Sequence, residues 1–385
     1  MNKILSFILA LLLCACAQAP KTQAPADLFS DQSFNSAQEK PQIEQIFAVN
    51  DDMRRFINER IATQIRQKGL QQALFDALYT TGQLQLNYDA VWTRNAAQTF
   101  ADRSGNCLSL VIMTAAFAKE MGLSVQFQGV KIVDSWSRSG DLYFSMGHVN
   151  LVLGKKRFED RLHFDKSHLM TVDFLPPEYT AGQHTIDLDD KTIIAMYLNN
   201  RAAEFMTQNQ LQEAYWLARE AIKQDPDFLP AYNTLGVVYL RNKLFPQALI
   251  ALKHAYERDP SSTIVLSNLV QAHEFLGNTA QTLELKHRLA LAQPYPPFYY
   301  FKIGQAAFEN RDYATAKKMF SKELDRSPDY HEFHYWLALS ELRLGEVKQA
   351  QSHLVAAKEN STSSQERAIY AAKLDFINAR TDVRR

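Results

Sequence analysis

Four prolines, Pro226, Pro260, Pro294 and Pro328, follow one another at a constant step of 34 residues. Small residues keep the same step at Ala214, Ala248, Ala316 and Ala350, with Thr282 in the remaining slot. A fixed period in this range marks one supersecondary unit copied along the chain. A single unit cannot bury its own apolar face, so neighbours must stack on it and the product is a solenoid. The C-terminal half is thereby committed to a nearly one-dimensional architecture.

The cleanest unit carries Tyr232, Leu235, Gly236, Tyr239, Ala248, Leu252, Ala255 and Pro260. Period and residue types together resemble the tetratricopeptide repeat. The resemblance implies two antiparallel helices per unit, small residues where they approach, and a proline closing the second helix. Five units are expected over residues 194–363, the third and fifth departing furthest from the pattern, with a capping helix and tail over 364–385. It also implies that the first helix of each unit lines the concave face, through Asn199, Asn233, Ser267, Phe298, Phe301, Phe308 and Tyr335. Of these, Asn199, Asn233, Phe301 and Tyr335 are the expected partner-binding residues. The set is polar and aromatic, without a run of Lys or Arg, so a protein or peptide segment is the natural ligand. Packing of this face against the N-terminal half is the competing use for it.

Met1-Asn2-Lys3 gives a short positive end, and residues 4–13 an apolar run too short to span a bilayer comfortably. Leu13-Cys14-Ala15-Cys16 follows and resembles a bacterial lipobox. That resemblance implies removal of residues 1–15 as a signal peptide and lipid attached to Cys16. Ala17 in place of Asp resembles the sorting pattern for the outer membrane, with the protein facing the periplasm. Residues 16–40, rich in Gln, Ala, Pro, Ser and Asp, read as a flexible tether. The 42 acidic and 42 basic residues balance, and nothing points to nucleic acid.

Cys14 would leave with the leader and Cys16 would carry lipid, so Cys107 is the one ordinary thiol of three cysteines. A lone thiol in an oxidising compartment has no intramolecular disulfide partner, which points to chemistry. Upstream, Ile57, Ile61, Leu70, Leu74 and Leu78 are spaced for the buried face of helix within residues 40–85. Residues 107–121 form a strongly apolar helix ending at Gly122, followed by strands expected at 125–133, 143–153 and 169–174. Gly105-Asn106-Cys107, Gly147-His148-Val149 and Thr171-Val172-Asp173-Phe174 place Cys, His and Asp in that order. The arrangement resembles the transglutaminase-like branch of the papain-like thiol enzymes, over residues 45–180. Together with the repeats it is similar to the bacterial SirB1-like proteins. The expected fold is an α+β papain/transglutaminase-like domain over 41–185, followed by the all-α solenoid.

A thiol in the first turn of a helix feels the positive end of the dipole, which favours the reactive thiolate. Asn106 can cap that helix and Gly105 allows a tight turn before it. His148 can pair with the thiolate and later protonate a leaving amine. Asp173 would orient the imidazole, with Asp165 as the alternative, and Arg103 and Asn150 as further supports. The Cys107 N–H is one oxyanion donor; no second is identifiable. His163, Asp165 and His168 lack a metal-ligand spacing, and neither a Gly-rich phosphate loop nor HExxH occurs, so neither metal nor cofactor is expected. The expected reaction is acyl transfer through a Cys107 thioester. Hydrolysis of an amide or peptide is favoured over crosslinking, because no second site for an amine is evident. A scaffold that has lost turnover is the alternative.

Overall fold

A computed structural model describes residues 24–36, 41–79, 84, 86–89, 92–130, 136–139, 142–145, 147–155, 169–175 and 182–382. The expected leader, Cys16, and the His163, Asp165 and His168 group lie outside the described residues.

The N-terminal unit begins with three short helices. Asn50 caps α1 (Asp51–Phe56) by accepting from the Met53 N–H at 2.9 Å. A wide π turn, Ile57–Ile61, joins it to α2 (Ala62–Lys68). Gly69, at φ +79°, then breaks the run before α3 (Leu70–Tyr79). The continuous helical pattern expected over 40–85 is therefore interrupted where only glycine takes the left-handed backbone comfortably.

Helix α4 (Ala96–Asp102) opens with a reciprocal Asn95–Gln98 cap and ends on Arg103 in the left-handed region. Strand β1 (Asn87–Tyr88) runs parallel to β2 (Ser104–Gly105), Tyr88 opposite Gly105. Helix α5 (Cys107–Glu120) follows, with every residue from Leu108 to Ala118 buried. A helix apolar on all sides must sit at the centre of its unit. One face of the sheet closes on it through Phe127, Val149, Leu151 and Leu153.

Four strands make that sheet, in the order β7-β6-β3-β8. They are β3 (Leu123–Val130), β6 (His148–Lys155), β7 (Met170–Val172) and β8 (Thr185–Leu188). The strand expected over 143–153 is two. Its first part, β5 (Leu142–Ser145), pairs with β4 (Trp136–Ser139) in a separate hairpin. Strand β8 was not anticipated: at four mostly exposed residues on the sheet edge, its Thr185-Ile186-Asp187-Leu188 alternation is too short to announce it.

The first repeat helix, α6 (Asp190–Thr207), starts two residues after β8. Ile193 belongs to the core around α5, while Ala195, Leu198, Ala202 and Met206 belong to the core of the repeats. One rigid helix thus serves two cores. Pairing continues with α7 (Leu211–Gln224), α8 (Leu229–Arg241) with α9 (Phe245–Arg258), and α10 (Thr263–Phe275) with α11 (Thr279–Ala292). The last two pairs are α12 (Tyr299–Glu309) with α13 (Tyr313–Arg326), and α14 (His331–Leu344) with α15 (Val347–Glu359). Helix α16 (Ser364–Asp382) closes the end. Inside the second pair, a Cβ on Gly236 would lie 2.5 Å from Leu252 Cγ, so glycine is what lets α8 and α9 meet.

The array has a seam. The first three pairs share one core, whereas Phe298, Phe301, Phe320 and Phe333 form another in the fourth and fifth. The connection between them, residues 293–298, carries Pro294, Pro296 and Pro297. Trp136, from the β4–β5 hairpin, packs against this second core, so the N-terminal unit touches both sides of the seam.

Residues 24–36 are not the free tether expected from their composition. Leu28 and Phe34 are buried among the first two repeats, and Phe34 stacks on Tyr215 with ring centres 3.9 Å apart. A favourable aromatic pair adds about 0.5–1.5 kcal/mol to its burial. The Arg219 guanidinium grips Asp31 with two bonds of 2.8 and 2.9 Å, and the Tyr215 hydroxyl donates to it at 2.5 Å. Burial works against the Asp31 charge, but these bonds outweigh it and hold the carboxyl below its usual range. The Tyr239 hydroxyl donates to the Leu28 carbonyl and accepts from the Ser30 N–H. Two buried apolar anchors in a polar stretch are too few to alter its composition, yet enough to dock it.

Candidate active site

Cys107 is the first residue of α5 and is half-buried. Its position is built by Asn106, whose Oδ1 accepts from the Ser109 N–H and Oγ–H, both at 2.9 Å. Asn106 Nδ2 donates to Thr93 Oγ1 at 2.8 Å, which stitches the cap to the preceding loop. Gly105 has ordinary φ. A side chain is excluded because its Cβ would lie 2.7 Å from Ser109 Cβ and 3.2 Å from Thr99 Cγ2. Close approach, and not turn conformation, is the reason for glycine here.

His148 and Asn150 share one face of β6, opposite Val149 and Leu151 in the core. The antiparallel register pairs Leu151 with Val172, so Asp173 falls one residue beyond, beside Asn150. His148 Nε2 meets Asp173 Oδ1 at 2.5 Å. Asn150 Nδ2 donates to Asp173 Oδ2 at 2.9 Å, and the Leu175 N–H donates to Oδ1 at 2.9 Å. With Nε2 turned to the carboxylate, Nδ1 is the ring nitrogen left for Cys107, whose interaction with the imidazole favours the charged ring.

The electrostatics follow from these contacts. Burial disfavours a charged His148, but the hydrogen bond to Asp173 and the influence of Cys107 overcome it and raise the imidazole to about 9. Burial likewise works against the Asp173 charge, yet bonds from His148, Asn150 and Leu175 hold that carboxyl below its usual range. The chain therefore brings Cys107, His148 and Asp173 together, with Asn150 supporting Asp173. Arg103 is exposed and takes no part.

Tyr88 is the residue that sequence reasoning missed. It lines the cavity beside Cys107, and burial pushes its ionisation well above the ordinary range. The β1–β2 pairing puts it there, and two short strands leave almost no sequence signal.

Cys107 opens into one continuous cavity of about 2520 Å³ that also runs along the concave face of the repeats. Tyr88, Trp92, Thr93 and Phe174 line it from the N-terminal unit together with Cys107, and Trp136 lines it from the hairpin. Asn199, Asn233, Ser267 and Tyr335 line the repeat side. Asn233 Oδ1 accepts from Asn268 Nδ2 at 2.8 Å; Asn199 Oδ1 is buried with no hydrogen-bond partner among the described residues. Phe298 and Phe301 do not belong to this surface. They are 2% and 0% exposed, in the aromatic core of the fourth and fifth repeats, because a full ring on a tightly packed helix pair is worth most when buried. Phe308 packs partly buried against the same core.

The sequence profile of the tetratricopeptide repeat matches residues 199–263 and 301–363. Small glutamine-rich tetratricopeptide repeat-containing protein 2 of Mycosarcoma maydis is 31% identical over 87 residues, 23% of this chain. The chain spans 25% of that relative's length. Among solved structures, the TPR protein TTC0263 of Thermus thermophilus is 19% identical, covering 47% of this chain and 98% of its own, with a TM-score of 0.29. YrrB, described as a TPR protein with an unusual peptide-binding site, is 18% identical over 47% of this chain and 92% of its own, with a TM-score of 0.26. The period, the paired helices and the matched profile agree: the C-terminal part of this chain is an all-helical tetratricopeptide-repeat array.

Proposed function

We propose that this protein is a thiol enzyme of the transglutaminase-like kind, which breaks an amide bond in a peptide or protein held by its repeats. The observation carrying this reading is the single cavity that joins Cys107 to the concave face of the array, with the His148–Asp173 pair beside it. Its volume is several times the roughly 300–1,000 Å³ of small-molecule sites. A chain of residues fits such a space better than a metabolite. We further propose that lipid on Cys16 anchors the protein to the outer membrane, facing the periplasm; the lipobox-like Leu13-Cys14-Ala15-Cys16 supports this.

The chemistry follows from the geometry. The Cys107 thiolate adds to the amide carbon, and the carbonyl electron pair moves onto oxygen. The Cys107 N–H donates to that oxyanion, and the Tyr88 hydroxyl, which lines the same end of the cavity and stays protonated, is the proposed second donor. Collapse breaks the C–N bond, and the amine leaves with the proton of His148 Nδ1. Neutral His148 then takes a proton from water as it attacks the thioester, which releases the acid and restores the thiolate–imidazolium pair. Asp173 holds the ring in one orientation throughout.

Incubating the full-length protein and Cys107→Ala with periplasmic extract tests this reading. A thioester-linked or newly cleaved polypeptide is expected only with the wild type. Equal partner capture by both, without cleavage or covalent adduct, would make the protein a scaffold.

A further inference from the structure

We infer that Glu204, a residue of the repeat array, positions the nucleophile of the neighbouring unit, so that occupancy of the first repeat is felt at Cys107. The inference rests on the thiol-enzyme reading above and extends it to regulation of that site.

Two separate supports set the geometry between thiol and imidazole. His148 and Asp173 are fixed by the β6–β7 pairing. Cys107 is fixed through Asn106, and Asn106 through Thr93. Thr93 is in turn held from the array, because its backbone N–H donates to Glu204 Oε1 at 2.7 Å. The other carboxylate oxygen, Oε2, accepts from Arg201 Nη1 at 2.6 Å. The Arg201 guanidinium lies 5.5 Å from the Trp92 ring and 5.0 Å from that of Phe205, which ties the same loop to α6 a second time. Ser109 Oγ, itself bonded to Asn106, accepts from the Arg94 N–H at 2.8 Å. Residues 92–94 are thus clamped between the first turn of the thiol helix and the first helix of the repeats.

A carboxylate is an expensive group to place here. Burial holds the Glu204 carboxyl above its usual range despite Arg201 and Thr93. Holding one loop N–H could be done by a neutral acceptor; a charge gives a stronger, shorter bond. Glu204, Thr93, Asn106 and Cys107 all border the common cavity, as do Asn200 and Ala203 on α6. A polypeptide lying on the first repeat therefore touches the helix that carries Glu204. A small movement of that helix is passed to the Asn106 cap, while His148 stays where the sheet holds it.

The test is the rate of Cys107 alkylation by iodoacetamide across pH, read by peptide mass spectrometry on the full chain, with thermal unfolding measured in parallel. Glu204→Ala is expected to displace the profile by about one pH unit, a tenfold slower reaction on its acid side. Glu204→Gln, which keeps an oxygen for Thr93, should recover most of the rate. Thr93→Ala cuts the same path at its next link and should reproduce Glu204→Ala, which keeps the test open if Glu204→Ala fails to fold. A folded Glu204→Ala or Thr93→Ala protein with the wild-type profile would overturn the inference. A wild-type profile that His148→Ala leaves unchanged would instead overturn the thiol-enzyme reading itself.

Discussion

The two halves of this molecule are assembled by opposite means. In the repeat array each unit is made of residues within about one period of each other, and every unit solves the same packing problem. In the N-terminal unit the site depends on residues 88, 107, 148 and 173, which only the sheet and the β1–β2 pairing bring together. Local periodicity therefore specifies the array, while long-range pairing specifies the chemistry. Mutations should separate the two, with damage to stability in one half and damage to reactivity in the other.

The largest expected effect is on the chemistry. His148→Ala should lower amide turnover by about 10²–10⁴-fold, the usual worth of a general acid–base, with little change in thermal unfolding above about pH 9, where the charged pair no longer stabilises the fold. An equally large drop in stability would mean that the histidine is chiefly a packing group, and the contrast between the halves would fail.

Next comes the array. Phe301→Ala should destabilise the fourth and fifth repeats by about 3–5 kcal/mol, because a buried ring leaves a cavity behind. Alkylation of Cys107 should be unaffected while the protein is folded. Asn233→Ala, on the cavity wall, should instead weaken partner capture and leave unfolding unchanged. Calorimetry beside a capture assay checks both, and reversed outcomes would return Phe301 to the binding surface.

A pH effect sharpens the comparison. His148 is raised to about 9, so the imidazolium that protonates the leaving amine persists to that pH. Turnover should fall as pH rises through about 9. Asp173→Asn removes a main cause of the rise, and its upper limb should move down toward the ordinary value of about 6.5. By linkage, the raised group stabilises the fold fully below about pH 6.5 and loses that contribution as pH climbs through the folded value. An upper limb that stays put in Asp173→Asn would remove Asp173 from the site.

The smallest effect lies at the far end of the array. Glu341 on α14 is 2% exposed, and burial raises its carboxyl to about 7. The fold thus prefers the neutral acid, so its stability falls as pH rises from the ordinary carboxyl range toward 7 and stays lower above it. Glu341→Gln should raise the unfolding temperature by a few degrees at pH 8 and by less at pH 4.5. A lower unfolding temperature at pH 8 would show that the Lys317 pairing outweighs burial.

Much was legible in the sequence, for a physical reason. A 34-residue period is local information, and it located the five helix pairs and the cap. A thiol at the mouth of an apolar helix is also local, since the cap and the first turn are adjacent residues. His148 and Asp173 could be named as partners of Cys107 through family resemblance, but their distances and the roles of Nδ1 and Nε2 depend on register. Tyr88 and Glu204 had no signal, because each matters through one contact with a residue remote in sequence. The same reasoning explains Phe301: helical spacing placed it on the first helix of its unit, but only packing with Phe298, Phe320 and Phe333 decided that it faces the core. Composition likewise made residues 24–36 a tether, until Leu28 and Phe34 found pockets among the first two repeats. Sequence by itself determined the repeating architecture and the thiol at its helix end. Tertiary structure decided that the two share one cavity, because a helix belonging to both cores fixes the array against the thiol domain.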